Sequence, residues 1–248
     1  MLRQYYAQPL NTAQPAPVKS TASSRQQQDN RKMFKSIFKT KAQKEAHRKG
    51  KELLDIFHDS TTRTMLEWEI ERCIDIIKDG ADLTLKDGTG RTALMFAADR
   101  GDARIIKELL DHGAKTEERD NDGWTALMYT VAHRKTEHID AARTLLQGGA
   151  NASAQDNEGS TVLMWAIWSR YERIAEHLLT HGADTAPKAP NNYGAETGKT
   201  AEEIAINHNL TSLAKNIHEH HIRNTFGAAA EQGTLHARKI RRRHAPTT

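Results

Sequence analysis

Few residues in this chain combine the types and spacing that chemistry needs. His218, His220 and His221 cluster with His208 close by. On a helix, His218 and His221 stand three apart, a spacing at which two imidazoles can share a metal ion. No cysteine or carboxylate completes a defined ligand set, so an exposed polar helix end is the expected reading. Gly194-Ala195-Glu196-Thr197-Gly198-Lys199-Thr200 imitates a phosphate-binding loop. That motif needs four residues between its glycines; three stand here, and no buried strand leads into them. Cys73 falls on the apolar face of a helical pattern, where a buried inert thiol is expected rather than a nucleophile. A single cysteine excludes an intrachain disulfide framework and a cysteine-ligated zinc finger. Asn151-Ala152-Ser153 and Asn209-Leu210-Thr211 match glycosylation acceptors, but the N-terminus has no apolar leader and secretion is not expected. No Ser/His/Asp or paired-carboxylate arrangement stands out. The expectation is a chain without catalysis, metal or cofactor.

What would position any functional residue here is a repeat. Asp87-Gly88-Thr89-Gly90-Arg91-Thr92-Ala93-Leu94-Met95 returns as Asp120-Asn121-Asp122-Gly123-Trp124-Thr125-Ala126-Leu127-Met128. It returns again as Asp156-Asn157-Glu158-Gly159-Ser160-Thr161-Val162-Leu163-Met164, and Gly198-Lys199-Thr200-Ala201 is a degraded fourth copy. The threonines are spaced by 33, 36 and 39 residues. A second mark falls between them: Leu109-Leu110-Asp111-His112-Gly113-Ala114, Leu145-Leu146-Gln147-Gly148-Gly149-Ala150 and Leu178-Leu179-Thr180-His181-Gly182-Ala183. Ile76-Ile77-Lys78-Asp79-Gly80-Ala81 is an earlier relative.

Each part has a physical meaning. Thr92, Thr125 and Thr161 stand where a hydroxyl can accept from the first backbone N–H groups of a helix. Ile105, Ile106, Leu109 and Leu110 line one face of a second helix. Gly80, Gly113, Gly149 and Gly182 follow that helix, where a left-handed residue ends it without a Cβ clash. The residues up to the next Asp and Gly form a turn. Two helices this short cannot enclose a core alone, so at least three units must stack.

This pattern resembles the ankyrin repeat, with its 33-residue period, its turn plus two helices and its Thr-Pro-Leu-His motif. Here that motif reads Thr-Ala-Leu-Met twice and Thr-Val-Leu-Met once, and the recurring Leu-Leu-x-x-Gly-Ala keeps the register. The resemblance covers about residues 51–220. It implies an all-α, ankyrin-type helical solenoid that recognises a protein partner without catalysis and takes no small-molecule substrate. It also implies that turn tips and the exposed side of the first helices, lining a concave face, carry target binding. The turn positions are Arg91, Trp124, Ser160 and Lys199. The first-helix ends are Asp99 and Arg100, Ala132 and His133, and Trp168 and Ser169. The expected partner-binding set is therefore Arg91, Asp99, Arg100, Trp124, His133, Ser160, Trp168 and Ser169. Trp124 and Trp168 are the candidate anchors, a class whose truncation costs roughly 2 kcal/mol or more. The bland alternative, that Trp124 merely covers a neighbouring turn, stays equally open. Phe96, Tyr129 and Trp165 share a register position nearer the core and are expected to pack between units.

The departures from the repeat are informative. Three extra residues around Ala132 to His138 lengthen one connection, and a longer excursion runs from Thr185 to Glu196 with Pro187 and Pro190. Such loops carry either private contacts or tolerated drift. Leu66, Ile70, Cys73, Ile74 and Ile77 give an amphipathic capping helix, with Glu67, Glu69 and Glu71 expected to face water. Ala201, Ile204, Ala205, Leu210, Leu213 and Ile217 give a closing helix pair.

Charge is segregated along the chain. Residues 1–51 hold 12 Lys/Arg and 2 Asp/Glu, residues 52–225 hold 19 and 29, and residues 226–248 hold 5 and 1. The segments therefore carry +10, −10 and +4, so the basic balance belongs to the arms and not to the body. Residues 1–30, with three prolines, six glutamines and no Ile, Phe or Trp, cannot bury enough apolar area to offset chain entropy. Their few acids loosely fit a transit peptide, but a solvated tail is the expected reading. Met33, Phe34, Ile37 and Phe38, ringed by lysines, form a basic amphipathic stretch. It suits an anionic membrane, a partner's groove or an extension of the N-terminal cap. Arg238-Lys239-Ile240-Arg241-Arg242-Arg243 suits a nuclear address, nucleic acid or a soluble end.

The expected organisation is a disordered tail at 1–30, a basic amphipathic helix or linker at 31–50, a repeat domain at 51–225 and a basic disordered tail at 226–248. Within the domain the N-cap spans 51–86, the full repeats 87–119, 120–155 and 156–194, and the C-cap 195–220. The alternative to partner recognition is a peripheral adaptor that uses residues 31–51 and 238–243 on an anionic membrane or nucleic acid. A cytoplasmic location is expected, with nuclear or organellar ones open.

Overall fold

The computed structural model describes residues 41–59, 65–132, 137–190 and 194–225. The expectations for residues 1–40, 226–248 and His133, including the basic stretches 31–40 and 238–243, lie outside these residues. The chain divides into units 1–44 and 45–248. Of the first, only residues 41–44 are described, as the opening turn of helix α1 (Lys41–Asp59).

The second unit is a run of short helices: α2 (Glu67–Lys78), α3 (Ala93–Arg100), α4 (Ala103–Asp111), α5 (Ala126–Ala132) and α6 (Ile139–Gln147). They are followed by α7 (Val162–Trp168), α8 (Glu172–Thr180), a single 3-10 turn at Gly194–Glu196, α9 (Ala201–Asn207) and α10 over 211–225. Among the described residues the fold is all-α, with only isolated bridges at Gln155–Thr161 and Lys188–Thr200. No described helix is long and apolar enough to cross a membrane.

Helices of seven to nine residues do not persist alone in water, so packing must hold them. Within each unit α3 packs on α4, α5 on α6 and α7 on α8. Across units α3, α5, α7 and α9 stack into one layer, and α2, α4, α6 and α8 into another. The core fills the space between the layers. Leu94, Leu127 and Leu163 enter from the first; Ile105, Ile106, Leu109, Leu145 and Leu178 enter from the second, all at 2 % exposure or less. Each such side chain contributes about 1.5–3 kcal/mol by leaving water. No unit encloses this core by itself.

The helix signals are realised with one exception. Thr161 accepts from the Met164 N–H at 3.1 Å, and Thr92 and Thr200 accept from Met95 and Glu203 at 3.4 Å. At Thr125 the hydroxyl is buried and finds no partner among the described residues; its carbonyl takes the Met128 N–H instead, at 3.1 Å. Gly80, Gly113, Gly149 and Gly182 all have φ between +81° and +86°, the left-handed form expected after the second helix.

The N-terminal end departs further from expectation. Helix α1 runs unbroken through the boundary placed at 50/51. Its Phe57 ring stacks on Phe96 at 5.7 Å and 9°, and the Asp82 N–H donates to the Ala46 carbonyl at 2.9 Å. Gly50 sits where the chain passes closely: a Cβ there would lie 2.5 Å from the Asp82 carbonyl oxygen. Just before α2, Leu66 is 51 % exposed, and within it Glu69 is 3 % exposed rather than solvated. The reason is local. Glu69 is the third residue of the helix, and its carboxylate reaches back to accept the Leu66 N–H at 2.7 Å.

Candidate functional site

The surface of interest begins with an aspartate. In each full repeat its Oδ1 accepts two backbone N–H groups, two and four residues on. Asp87 takes Thr89 and Arg91 at 2.9 and 2.8 Å. Asp120 takes Asp122 and Trp124 at 2.9 and 2.8 Å. Asp156 takes Glu158 and Ser160 at 3.0 and 2.9 Å. Adjacent turns are then laced together. The Asn121 N–H donates to the Thr89 carbonyl at 3.0 Å, and the Asn157 N–H to the Asp122 carbonyl at 3.1 Å. Gly90 and Gly123 serve both needs, with φ of +86° and +81° and the next turn's asparagine packed where a Cβ would project.

In the second and third repeats the other oxygen of the aspartate reaches the residue nine positions on, and that residue changes. Tyr129 donates its hydroxyl to Asp120 Oδ2 at 2.5 Å, and Trp165 donates its indole N–H to Asp156 Oδ2 at 3.0 Å. Phe96 has no donor. In that repeat the Arg91 guanidinium bonds Asp87 Oδ2 at 3.2 Å and lies 4.2 Å over the Phe96 ring. His58 Nε2 approaches the same oxygen at 3.6 Å. Burial alone would raise the Asp87 pKa. The Arg91 and Thr89 hydrogen bonds, with the Arg91 charge, outweigh it and hold the carboxyl below its ordinary value. Burial pushes the Tyr129 phenol well above its ordinary value, and its bond to Asp120 adds to this.

The aromatic rings form a continuous chain over two repeats. Trp124 meets the edge of Tyr129 at 5.5 Å and tilts against Trp165 at 5.0 Å; Trp165 meets Trp168 edge-on at 5.3 Å. All four are half-buried. Phe96 alone of its register position is core, at 1 % exposure. Trp165 therefore packs against Trp124 of the preceding repeat and Tyr129 against Trp124 of its own, while both still reach the surface. The cleft between the second and third turns, about 330 Å³, is lined by Asp122, Trp124, Asp156, Asn157, Glu158 and Trp165.

The remaining expected residues fall into four groups. Arg91, Trp124, Trp168 and Ser169 are half-buried on this side of the repeats, and the Ser169 hydroxyl donates back to the Val131 carbonyl at 2.9 Å. Asp99 and Arg100 end α3, where Arg100 donates to the Phe57 carbonyl at 2.8 Å and so engages α1. Ser160 corrects the sequence expectation. At 0 % exposure, with Asp156 folding the turn over its backbone N–H, it offers no contact surface. Lys199 is half-buried, its ammonium 4.0 Å from Glu196.

The residues first singled out for chemistry do not converge. His218 faces Glu202 at 3.1 Å, His221 faces the Thr185 hydroxyl at 3.1 Å, and His220 faces Asn224 at 2.8 Å. Among the described residues no three His, Cys, Asp or Glu side chains are placed to hold a metal ion. The phosphate-loop look-alike is a 3-10 turn followed by the Thr200 cap. Its Gly198, at φ +74°, keeps the register of the earlier turn glycines, and its N–H donates to the Ala189 carbonyl at 2.9 Å. Cys73 is fully buried, and burial pushes its thiol up to about 12. Sequence reasoning missed the part played by Asp120 and Asp156. The constant nine-residue step from each aspartate to a ring bearing a hydrogen-bond donor was the signal that could have found it.

Comparison with known protein families matches the same stretch of the chain. A family model described as ankyrin repeats (3 copies) matches residues 69–156 and 132–189.

Proposed function

Because the chain belongs to the ankyrin-repeat family, whose members are in general protein–protein interaction modules, we propose that it binds a protein partner through the concave face. That face comprises the turn tips and the exposed side of the first helices, around Arg91, Trp124, Trp165 and Trp168. The observation that carries this reading is the aromatic chain Tyr129–Trp124–Trp165–Trp168. Large rings left half-covered on consecutive repeats supply apolar area at little conformational cost, and such residues dominate interface energetics. Catalysis is no part of the proposal, in keeping with the typical role of the family.

The test is capture from a cell extract, identified by mass spectrometry, with the wild-type chain beside the Trp124→Ala/Trp168→Ala double variant. The expected outcome is loss of the retained partner by the variant while its helical circular dichroism is unchanged. Equal retention by both chains would overturn the surface assignment.

A further inference from the structure

We infer that the exposed face of α2 is a second docking surface, which receives a basic segment of a partner polypeptide. That segment sets an apolar side chain against Trp68 and lysine or arginine side chains on Glu71 and Asp75. Trp68 is 65 % exposed, and Leu66, the residue that caps the same helix, is 51 % exposed. Apolar area of this kind is costly to leave in water. The other large apolar side chains as open to solvent among the described residues, Ile206 and Ile222, stand far from it in sequence and from each other. The Trp68 indole makes no hydrogen bond or ring contact among the described residues. Trp68, Glu71 and Asp75 stand at i, i+3 and i+7 of one helix, so they share a face, and all three are exposed.

The charge left on this face selects the occupant. The cations on and beside α2 are engaged within the protein. Arg72 bonds Glu52, and Arg104 of α4 grips both oxygens of Glu67 at 2.7 and 3.0 Å. Lys78, at the end of the helix, lies 4.0 Å from Glu108. Arg104 also feels the Glu71 charge, but its guanidinium is already committed to Glu67. Glu71 and Asp75 have no ion pair among the described residues, so two carboxylates remain in line with the indole. A lysine or arginine satisfies both features, because an indole face attracts a cation and a carboxylate pairs with it. The same carboxylates oppose an anionic lipid surface, so the exposed indole suits a polypeptide rather than a bilayer. The net charge of −10 over residues 52–225 favours a basic partner on approach. Helix α2 stacks on α4 in the second layer and shares no residue with the face around Trp124 and Trp168, so this surface is independent of that one.

The probe is a randomised short-peptide library, selected on the full chain and depleted on Trp68→Ala. That variant loses an exposed side chain and is expected to keep the helical circular dichroism of the wild type. The expected winners carry an apolar residue together with lysines or arginines. Titrated into the full chain with its tryptophan indoles labelled with ¹⁵N, a winning peptide is expected to shift the Trp68 signal. The double variant Glu71→Gln/Asp75→Asn, altered at exposed positions, reads the same claim without touching Trp68. It is expected to weaken binding about fivefold at low salt, with the difference closing at high salt. Enrichment of acidic or uncharged peptides, no enrichment over the Trp68→Ala control, or full affinity in the carboxylate variant would overturn the proposal.

Other occupants have their own signatures. Sedimentation across a range of concentrations is expected to give the same result for wild type and Trp68→Ala; self-association lost in the variant would replace the basic partner by a second copy of the chain. Flotation with phosphatidylserine vesicles is expected to show no dependence on Trp68; binding lost in the variant would assign the face to a membrane and sink the inference. The Trp124→Ala/Trp168→Ala variant separates the two surfaces. It is expected to retain the selected peptides, and if it releases them they belong to the concave face and the assignment to α2 fails.

Discussion

One carboxylate oxygen gathers two backbone N–H groups and the other holds a side chain nine residues away, so a single aspartate joins the turn to the helix it precedes. Asp156→Asn breaks that division, because one oxygen becomes an amino group that cannot accept from the Trp165 indole. A loss of about 1–3 kcal/mol in urea unfolding is expected, the cost of leaving a partly buried donor unmet. Tyr129 gives a pH prediction. Its phenol pKa is raised in the fold, so the neutral form is favoured. The stability this contributes is complete below the ordinary phenol value of about 10 and is lost as pH rises through the raised one. Urea midpoints of the wild type should therefore fall more steeply between pH 9 and pH 11 than those of Tyr129→Phe. Cys73, with its thiol pushed up to about 12 by burial, should stay unmodified by a thiol reagent at pH 8 until the protein is unfolded. The buried thiol could be anticipated from its helical face. The aspartate could not, because composition alone does not separate a solvated turn carboxylate from one whose two oxygens are both engaged.

At the scale of the element, repeated threonines do not behave alike. Thr161→Ala removes a 3.1 Å cap and should cost about 1 kcal/mol. Thr125→Val keeps the shape and removes a buried hydroxyl without a partner among the described residues, so stability should hold or rise. Chemical denaturation of the two variants side by side checks the contrast. Helix existence and the glycine stops were legible because the 33- to 39-residue recurrence reinforces each weak local signal. Helix α1 was placed only in part. Its link to the stack, through Phe57 on Phe96 and the Asp82 bond to Ala46, joins residues far apart in sequence. Glu69 was misjudged because period alone assigned it to solvent, whereas its place in the first turn turned it back to the chain.

Across the whole molecule, stability depends on neighbours and on the caps. Gly50→Val would drive a side chain into the Asp82 carbonyl and Leu85, and should unseat α1. Hydrogen exchange over residues 45–59 should then rise toward that of an open segment, while the repeats from α5 onward remain protected. The interaction face was only half legible. The tryptophans stood out by type, but their contact with Trp165, and the cleft that contact frames, follow from how far one unit is rotated on the next. The repeats that begin at Asp87 and Asp120 differ in length by three residues, yet Asn121 and Asn157 each meet the turn before with the same backbone bond. Over these two steps the added length leaves the contact between turns intact. A protein built this way behaves as a ruler over its first three turns: the same backbone bond sets each step, whether 33 or 36 residues separate one mark from the next.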